Sequence, residues 1–208
     1  MTDRVILLHG LWMPGASMQW FASHLSAAGF APEIFTYQSV ADGPDTAVPR
    51  LIEVLREGEA DIVAHSLGGL IALQALHEAP GLPVRHVVCL GSPLTGSGAA
   101  TGVLRWPPAA AMFGRSAALL QQGVEGWQGA AEVGVIAGCV PHGLGALFAG
   151  FDGEHDGTVA VAETHLPGVA DHIVVHASHS GLLFSTEAVE QAIAFLRNGH
   201  FQHEPRPV

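Results

Sequence analysis

Short apolar runs alternate along the chain with longer stretches whose apolar residues recur at helical spacing. The runs 4–9, 32–37, 60–65, 85–90, 132–139 and 171–177 are rich in Val, Ile and Leu, and most end near Gly, Ser or Pro. Such runs suit strands buried on both faces. Between them, residues 17–29 space Trp20, Phe21, His24 and Leu25 along one helix face and stop at Gly29, a residue suited to a helix C-terminus. The pattern repeats in 46–57 (Leu51, Ile52, Val54, Leu55), 67–79 (Leu70, Ile71, Leu73, Leu76) and 186–197 (Val189, Ile193, Phe195, Leu196). This alternation predicts an α/β fold, doubly wound, with about six parallel strands and helices on both faces.

One stretch breaks the rhythm. Residues 94–131 are rich in Gly and Ala, carry Trp106-Pro107-Pro108 and Trp127, and contain no clean strand. A structureless loop of that length is unusual in a small domain, so helical pieces forming a cap-like insertion are expected. The bland alternative is an extra covering helix. The 208 residues fit a single domain over 1–200, followed by a polar, Pro-bearing tail at 201–208.

Composition narrows the choice of partner. Hydrophobic residues make up 49% of the chain and charged residues 13%, which is far from disorder and leaves apolar surface for a lipophilic small molecule. A net charge of −11 disfavours nucleic acid and anionic membrane, both of which demand clustered Lys or Arg. The chain runs from Met1-Thr2-Asp3-Arg4 directly into a strand, and no apolar stretch approaches a membrane span, so the expectation is no stable membrane insertion and a cytoplasmic location. Cys89 and Cys139 lie in different apolar runs and read as reduced thiols. Nothing bears on the oligomeric state.

The reactive chemistry centres on Ala64-His65-Ser66-Leu67-Gly68, where a strand runs straight into a helical stretch. Small residues two before and two after a serine let strand and helix pass closely while the serine takes a strained, exposed conformation, the geometry of a nucleophile elbow. A Ser-Gly phosphate-binding turn is the bland reading of the same residues. A serine hydroxyl needs a histidine base and a carboxylate to orient it, arriving in the order Ser, acid, His. Thirteen histidines are available. His179 follows the last strand and precedes the last helix, and is the candidate base. His65 adjoins Ser66, but neighbours at a strand end point to opposite sides, so it reads as packing. The loop after the fifth strand supplies Asp152, Glu154 and Asp156 as candidate acids. Backbone amides for an oxyanion are expected at Leu67, after the nucleophile, and at Leu11 in His9-Gly10-Leu11-Trp12, after the first strand.

Strand order, elbow, H-G-x segment, Asp156-Gly157-Thr158-Val159 and the late histidine together resemble the α/β-hydrolase superfamily, most closely small bacterial lipases and esterases with PGAP1-like relatives. The resemblance covers nearly the whole chain. It implies Ser66 as nucleophile and His179 as base, and its D-G-x-V stretch favours Asp156 as the acid, with Asp152 second. Ala64 stands where a glycine is usual, a replacement common in the bacterial lipases of this type. The implied activity is carboxylic ester hydrolysis without a cofactor; a thioesterase, amidase or acyltransferase uses the same triad. Trp12, Trp106, Met112 and Phe113, with Leu119 and Leu120, are the candidate acyl-binding residues.

Two other classes are compatible with parts of the sequence. A binding module for lipophilic ligands could keep the fold without turnover. Asp152, Glu154, Asp156, Gly157 and Glu163 fall near the spacing of an EF-hand loop, but a strand precedes them where a helix is required. His142, His155, His165, His172 and His176 show no zinc-ligand spacing, so no metal is expected.

Overall fold

In the computed structural model, residues 3–104, 113–142 and 153–203 are described. Strands β1 (Arg4–Leu8), β2 (Ala31–Phe35), β3 (Ala60–His65), β4 (Val84–Leu90), β5 (Glu132–Gly138) and β6 (Asp171–Val175) form one sheet in the order β2-β1-β3-β4-β5-β6. Every pairing is parallel. The order reverses direction at β1, so the first crossover and the later ones run to opposite sides of that strand. In open sheets of this kind the loops at the carboxyl ends of the strands build the ligand site.

Alternation along each strand explains the two faces. Ile6, Leu8, Ile62, Ala64, Val87 and Cys89 point to one side, where α2 (Gly43–Arg56) and α3 (Leu67–Glu78) bury Leu51, Leu55, Leu70 and Ile71. Val5, Leu7, Val63, Val88 and Leu90 point to the other, against α1 (Gln19–Ala27) and the last helix, Thr186–Asn198. Each large apolar side chain buried this way contributes roughly 1.5–3 kcal/mol. Gly134 on β5 leaves the space that the Phe195 ring fills; a methyl there would come within 2.5 Å of the ring.

Helix α3 is buried almost all round, because the insertion covers the side that the sheet and α2 leave open. Among the described residues of 94–131, helix α4 (Gly98–Leu104), a 3-10 turn at Gly114–Ser116 and helix α5 (Ala117–Gln122) are the helical elements. A four-residue helix, α6 (Val161–Thr164), follows the Asp156 turn, and Thr186–Asn198 is α7. The two cysteines are free thiols: Cys89 lies buried on β4, where burial pushes its pKa up to about 12, and Cys139 lies one residue past β5. Among the described residues no helix is long and apolar enough to cross a membrane.

Candidate active site

At the carboxyl end of β3 the chain turns through Ser66 directly into α3. Ser66 takes φ 55° and ψ −120°, a region that costs a non-glycine residue roughly 1–3 kcal/mol and persists only where its surroundings enforce it. The surroundings are visible. Gly68, two residues on, lies so close to β1 that a methyl would come within 2.8 Å of the His9 carbonyl oxygen and 2.9 Å of the Leu8 Cβ. The Ser66 amide still donates to the Leu90 carbonyl of β4 (2.9 Å), so the elbow remains stitched to the sheet. Ala64, fully buried, fits where the motif usually has glycine.

Ser66 Oγ lies 3.0 Å from His179 Nε2, and His179 Nδ1 lies 2.7 Å from Asp156 Oδ2. All three are buried, Asp156 with 1% of its surface exposed, Ser66 with 8% and His179 with 9%. Since the carboxylate can only accept, Nδ1 carries the proton, and Nε2 faces the serine hydroxyl. The backbone reinforces the pair, as the His179 N–H donates to the Asp156 carbonyl (2.9 Å).

The D-G-T-V stretch has a mechanical reason. Asp156 Oδ1 accepts the amides of Thr158 (2.9 Å) and Val159 (2.7 Å), and the Asp156 amide donates to the Val159 carbonyl. Gly157, at φ 95°, supplies the left-handed residue that closes this turn. One carboxylate oxygen is thereby fixed by backbone donors, leaving the other aimed at His179. Glu163 is committed elsewhere: its two oxygens accept the amides of Gly98 (2.6 Å) and Ala160 (3.0 Å) and so tie the start of α4 to the Asp156 turn. Asp156 and Glu163 of the EF-hand-like spacing therefore face different partners, and among the described residues no cluster of three metal-ligating side chains occurs.

The loop after β1 crosses the nucleophile at close range. A methyl on Gly10 would come within 2.9 Å of His65 Nδ1 and 3.0 Å of the Ser66 Cβ, so a glycine is needed for the crossing. The Trp12 amide donates to Ser39 Oγ (3.1 Å), which holds Trp12 at φ 58°. Among the described residues neither the Leu11 amide nor the Leu67 amide meets an acceptor, and Leu67 opens α3, whose N-terminal end carries partial positive charge. His9 braces the loop. It donates from Nδ1 to the Gly10 carbonyl (2.9 Å), takes the Tyr37 amide at Nε2 (3.4 Å), and stacks on the Tyr37 ring at 4.3 Å, while the Tyr37 hydroxyl donates to the His9 carbonyl (2.6 Å). Burial lowers the His9 pKa and raises that of Tyr37, so both stay neutral.

Of the apolar candidates, Trp12 is 56% exposed and its ring meets Phe113 of the insertion at 5.2 Å. Phe113 and Leu120 are buried in the core against which Leu119 also packs. Trp106, Met112 and the alternative acid Asp152 lie outside the described residues.

Sequence reasoning overlooked three contributors. Gly91 (φ 55°) backs the Asp156–His179 pair, since a methyl would reach 3.1 Å from Asp156 Oδ2 and 3.2 Å from His179 Nδ1. Gly138, at the end of β5, likewise makes room for the Asp156 Cβ, 3.0 Å from where its own methyl would sit. His65 is more than packing: its Nε2 lies 3.0 Å from the His179 carbonyl. No local pattern announces these roles, although a glycine at the carboxyl end of a strand beside a candidate site is the signal that could have raised the first two.

No protein-family model matches the chain, and no curated protein matches it in sequence. Among solved structures, the lipase BlEst2 of Bacillus licheniformis in its mature form is similar with a TM-score of 0.73 at 20% identity, over 93% of this chain and 90% of the lipase. The bromoperoxidase from Bacillus anthracis gives 0.69 at 13% identity over 95% and 93%, and the metagenomic carboxyl esterase MGS0156 gives 0.64 at 18% over 85% and 64%. These likenesses identify the architecture as the α/β-hydrolase fold. Because the same fold serves a lipase, an esterase and a bromoperoxidase, the reaction has to be argued from the site.

Proposed function

We propose that this α/β-hydrolase-fold protein is a serine hydrolase that cleaves carboxylic esters of small lipophilic molecules through an acyl-enzyme on Ser66. The observation that carries the reading is the unbroken hydrogen-bonded line from Ser66 Oγ through His179 to Asp156, set on a strained strand-to-helix turn. Strain of that kind persists when a site needs the side chain presented in one place.

In this reading His179 Nε2 takes the Ser66 proton as Oγ attacks the ester carbonyl, and Asp156 stabilises the imidazolium that forms. The carbonyl oxygen, now negatively charged, is received by the Leu11 and Leu67 amides. Those two amides meet no other acceptor among the described residues, which is what an oxyanion pair requires. Collapse of the tetrahedral intermediate expels the alcohol, which takes the proton from His179. A water molecule, deprotonated by the same histidine, then attacks the acyl-enzyme; the carboxylic acid leaves as the bond to Oγ breaks, and Ser66 Oγ takes the proton back from His179. No step calls for a cofactor.

The acyl chain is assigned to the side where the exposed Trp12 ring meets Phe113. A series of p-nitrophenyl esters from acetate to palmitate tests both levels of the proposal. Turnover that rises from acetate to medium chains supports the acyl site; strict acetate preference rejects that site and leaves the hydrolase standing. Absence of turnover on every ester overturns ester hydrolysis.

A further inference from the structure

Among the described residues, His65 is the fully buried histidine in contact with the proposed base, and it sits next to the proposed nucleophile in the chain. Alternation along β3 sends it to the face of Val63, where the turn that carries His179 packs before α7. The two rings lie 4.7 Å apart, and His65 Nε2 is 3.0 Å from the His179 carbonyl oxygen.

A carbonyl oxygen only accepts, so Nε2 must be the protonated nitrogen and His65 is a neutral donor. Its charge state agrees, as burial pushes its pKa down to about 3 among the surrounding titratable groups His179, Asp156 and His9. The same assignment leaves Nδ1 as a bare lone pair, buried with no donor among the described residues, at the place where Gly10 crosses the nucleophile. An orphaned buried nitrogen is costly, and a leucine or phenylalanine would fill this space without that cost. What histidine adds is the donor at Nε2.

In the turn around His179, the carbonyls of Ser178 and Ser180 accept the amides of Leu182 and Leu183, whereas the carbonyl of His179 has His65 as its donor. His179 is thus held at its side-chain Nδ1 by Asp156 Oδ2, at its backbone N–H by the Asp156 carbonyl, and at its backbone carbonyl by His65. We propose that His65 is a positioning residue for the base: its Nε2–H fixes the His179 backbone so that the imidazole stays aligned with Ser66 through both proton transfers. This inference rests on the reading of Ser66 and His179 as nucleophile and base.

The test compares two polar replacements. The side-chain amide nitrogen of glutamine reaches about as far as histidine Nε2, and that of asparagine only as far as Nδ1. Misplacement of a catalytic group by about 1 Å costs on the order of 100-fold in rate, so His65→Asn is expected to lower kcat by about 10- to 100-fold with KM near the wild-type value. His65→Gln is expected to retain kcat within about threefold, since a charge-free donor of similar reach keeps the bond. Labelling by a fluorophosphonate should slow in Asn and recover in Gln, with both variants showing cooperative thermal unfolding. Equal kcat and labelling rates for the two variants, whether both high or both low, overturn the positioning role. Wild-type protein that neither turns over esters nor takes the label defeats the hydrolase reading instead, so the two failures are distinguishable.

Discussion

An Asp and a His side chain approach each other at both ends of the sheet, and the two pairs behave differently. At the amino end, Asp61 of β3 is fully buried, with Oδ2 3.1 Å from Arg85 and Oδ1 accepting the His86 amide at 3.1 Å. The pairing of β3 and β4 shifts register there, which frees the His86 amide from the ladder and makes the carboxylate its partner. The His86 ring comes within 3.4 Å of Asp61 but makes no hydrogen bond through Nδ1, and its other nitrogen lies 3.4 Å from Glu132. At the carboxyl end, Asp156 meets, among the described residues, backbone amides and the His179 Nδ1–H at 2.7 Å but no cation, and the far side of that ring meets a serine on a strained turn. An Asp beside a His is therefore no signature of catalysis. What differs is whether the carboxylate is paired with an arginine beside a bulge, or held by backbone amides with its other oxygen on an imidazole.

The comparison can be broken by substitution. Asp156→Asn keeps the Asx turn but offers Nδ1 a donor where it needs an acceptor, and is expected to lower kcat by about 10⁴-fold with little change in Tm. Asp61→Ala should do the reverse. Steady-state kcat stays near wild type, while urea denaturation reports a loss of about 2–3 kcal/mol, below the full cost of a broken buried pair because Arg85 keeps solvent access. If Asp61→Ala instead lost activity at unchanged stability, the division between the two ends would fail.

A smaller effect is expected on the oxyanion side. Ser39 Oγ accepts the Trp12 amide, and the Ser39 carbonyl accepts the Ser116 hydroxyl of the insertion (2.6 Å), so Ser39 links the insertion to the loop carrying Leu11. Ser39→Ala should reduce kcat by about threefold to tenfold, the scale of one lost hydrogen bond, with KM rising as Trp12 loosens. Unchanged kinetics would show that the loop is held by His9 and Tyr37 alone.

The last expected effect is on acid stability. His65, at about 3, and His172, at about 4, are held below the unfolded histidine value of about 6.5 chiefly by burial, and His9 moves the same way. Between those values the unfolded chain binds more protons than the folded one, so this stability is complete above about pH 6.5 and declines as the pH falls towards 4 and then 3. Urea midpoints measured across that window should fall less steeply for His65→Gln than for wild type; parallel curves would contradict the assignment.

Much of this was legible in the sequence, and for physical reasons. Parallel strands buried on both faces read as unbroken apolar runs, and all six strands lie within one or two residues of the expected bounds. The elbow at Ser66 and the turn at Asp156 are local devices, made by glycines within two residues of the side chain they aim. His179 could be singled out as the candidate base among thirteen histidines because chain order and strand ends restrict the choice. What could not be read are contacts between distant segments. The His65 bond to His179 spans 114 positions, Ser39 meets Ser116 across 77, and Glu163 reaches Gly98 across 65. The insertion was legible only as a break in rhythm, since Gly and Ala leave little periodicity to follow.

The central claim is that Ser66 is a nucleophile activated by His179. Incubating wild-type protein with a fluorophosphonate and mapping the modified peptide by mass spectrometry tests it most directly. The expected result is a single phosphonyl adduct on Ser66, no adduct in Ser66→Ala, and strongly slowed labelling in His179→Ala. Wild-type protein that stays unmodified, or a label that persists elsewhere in Ser66→Ala, would contradict it.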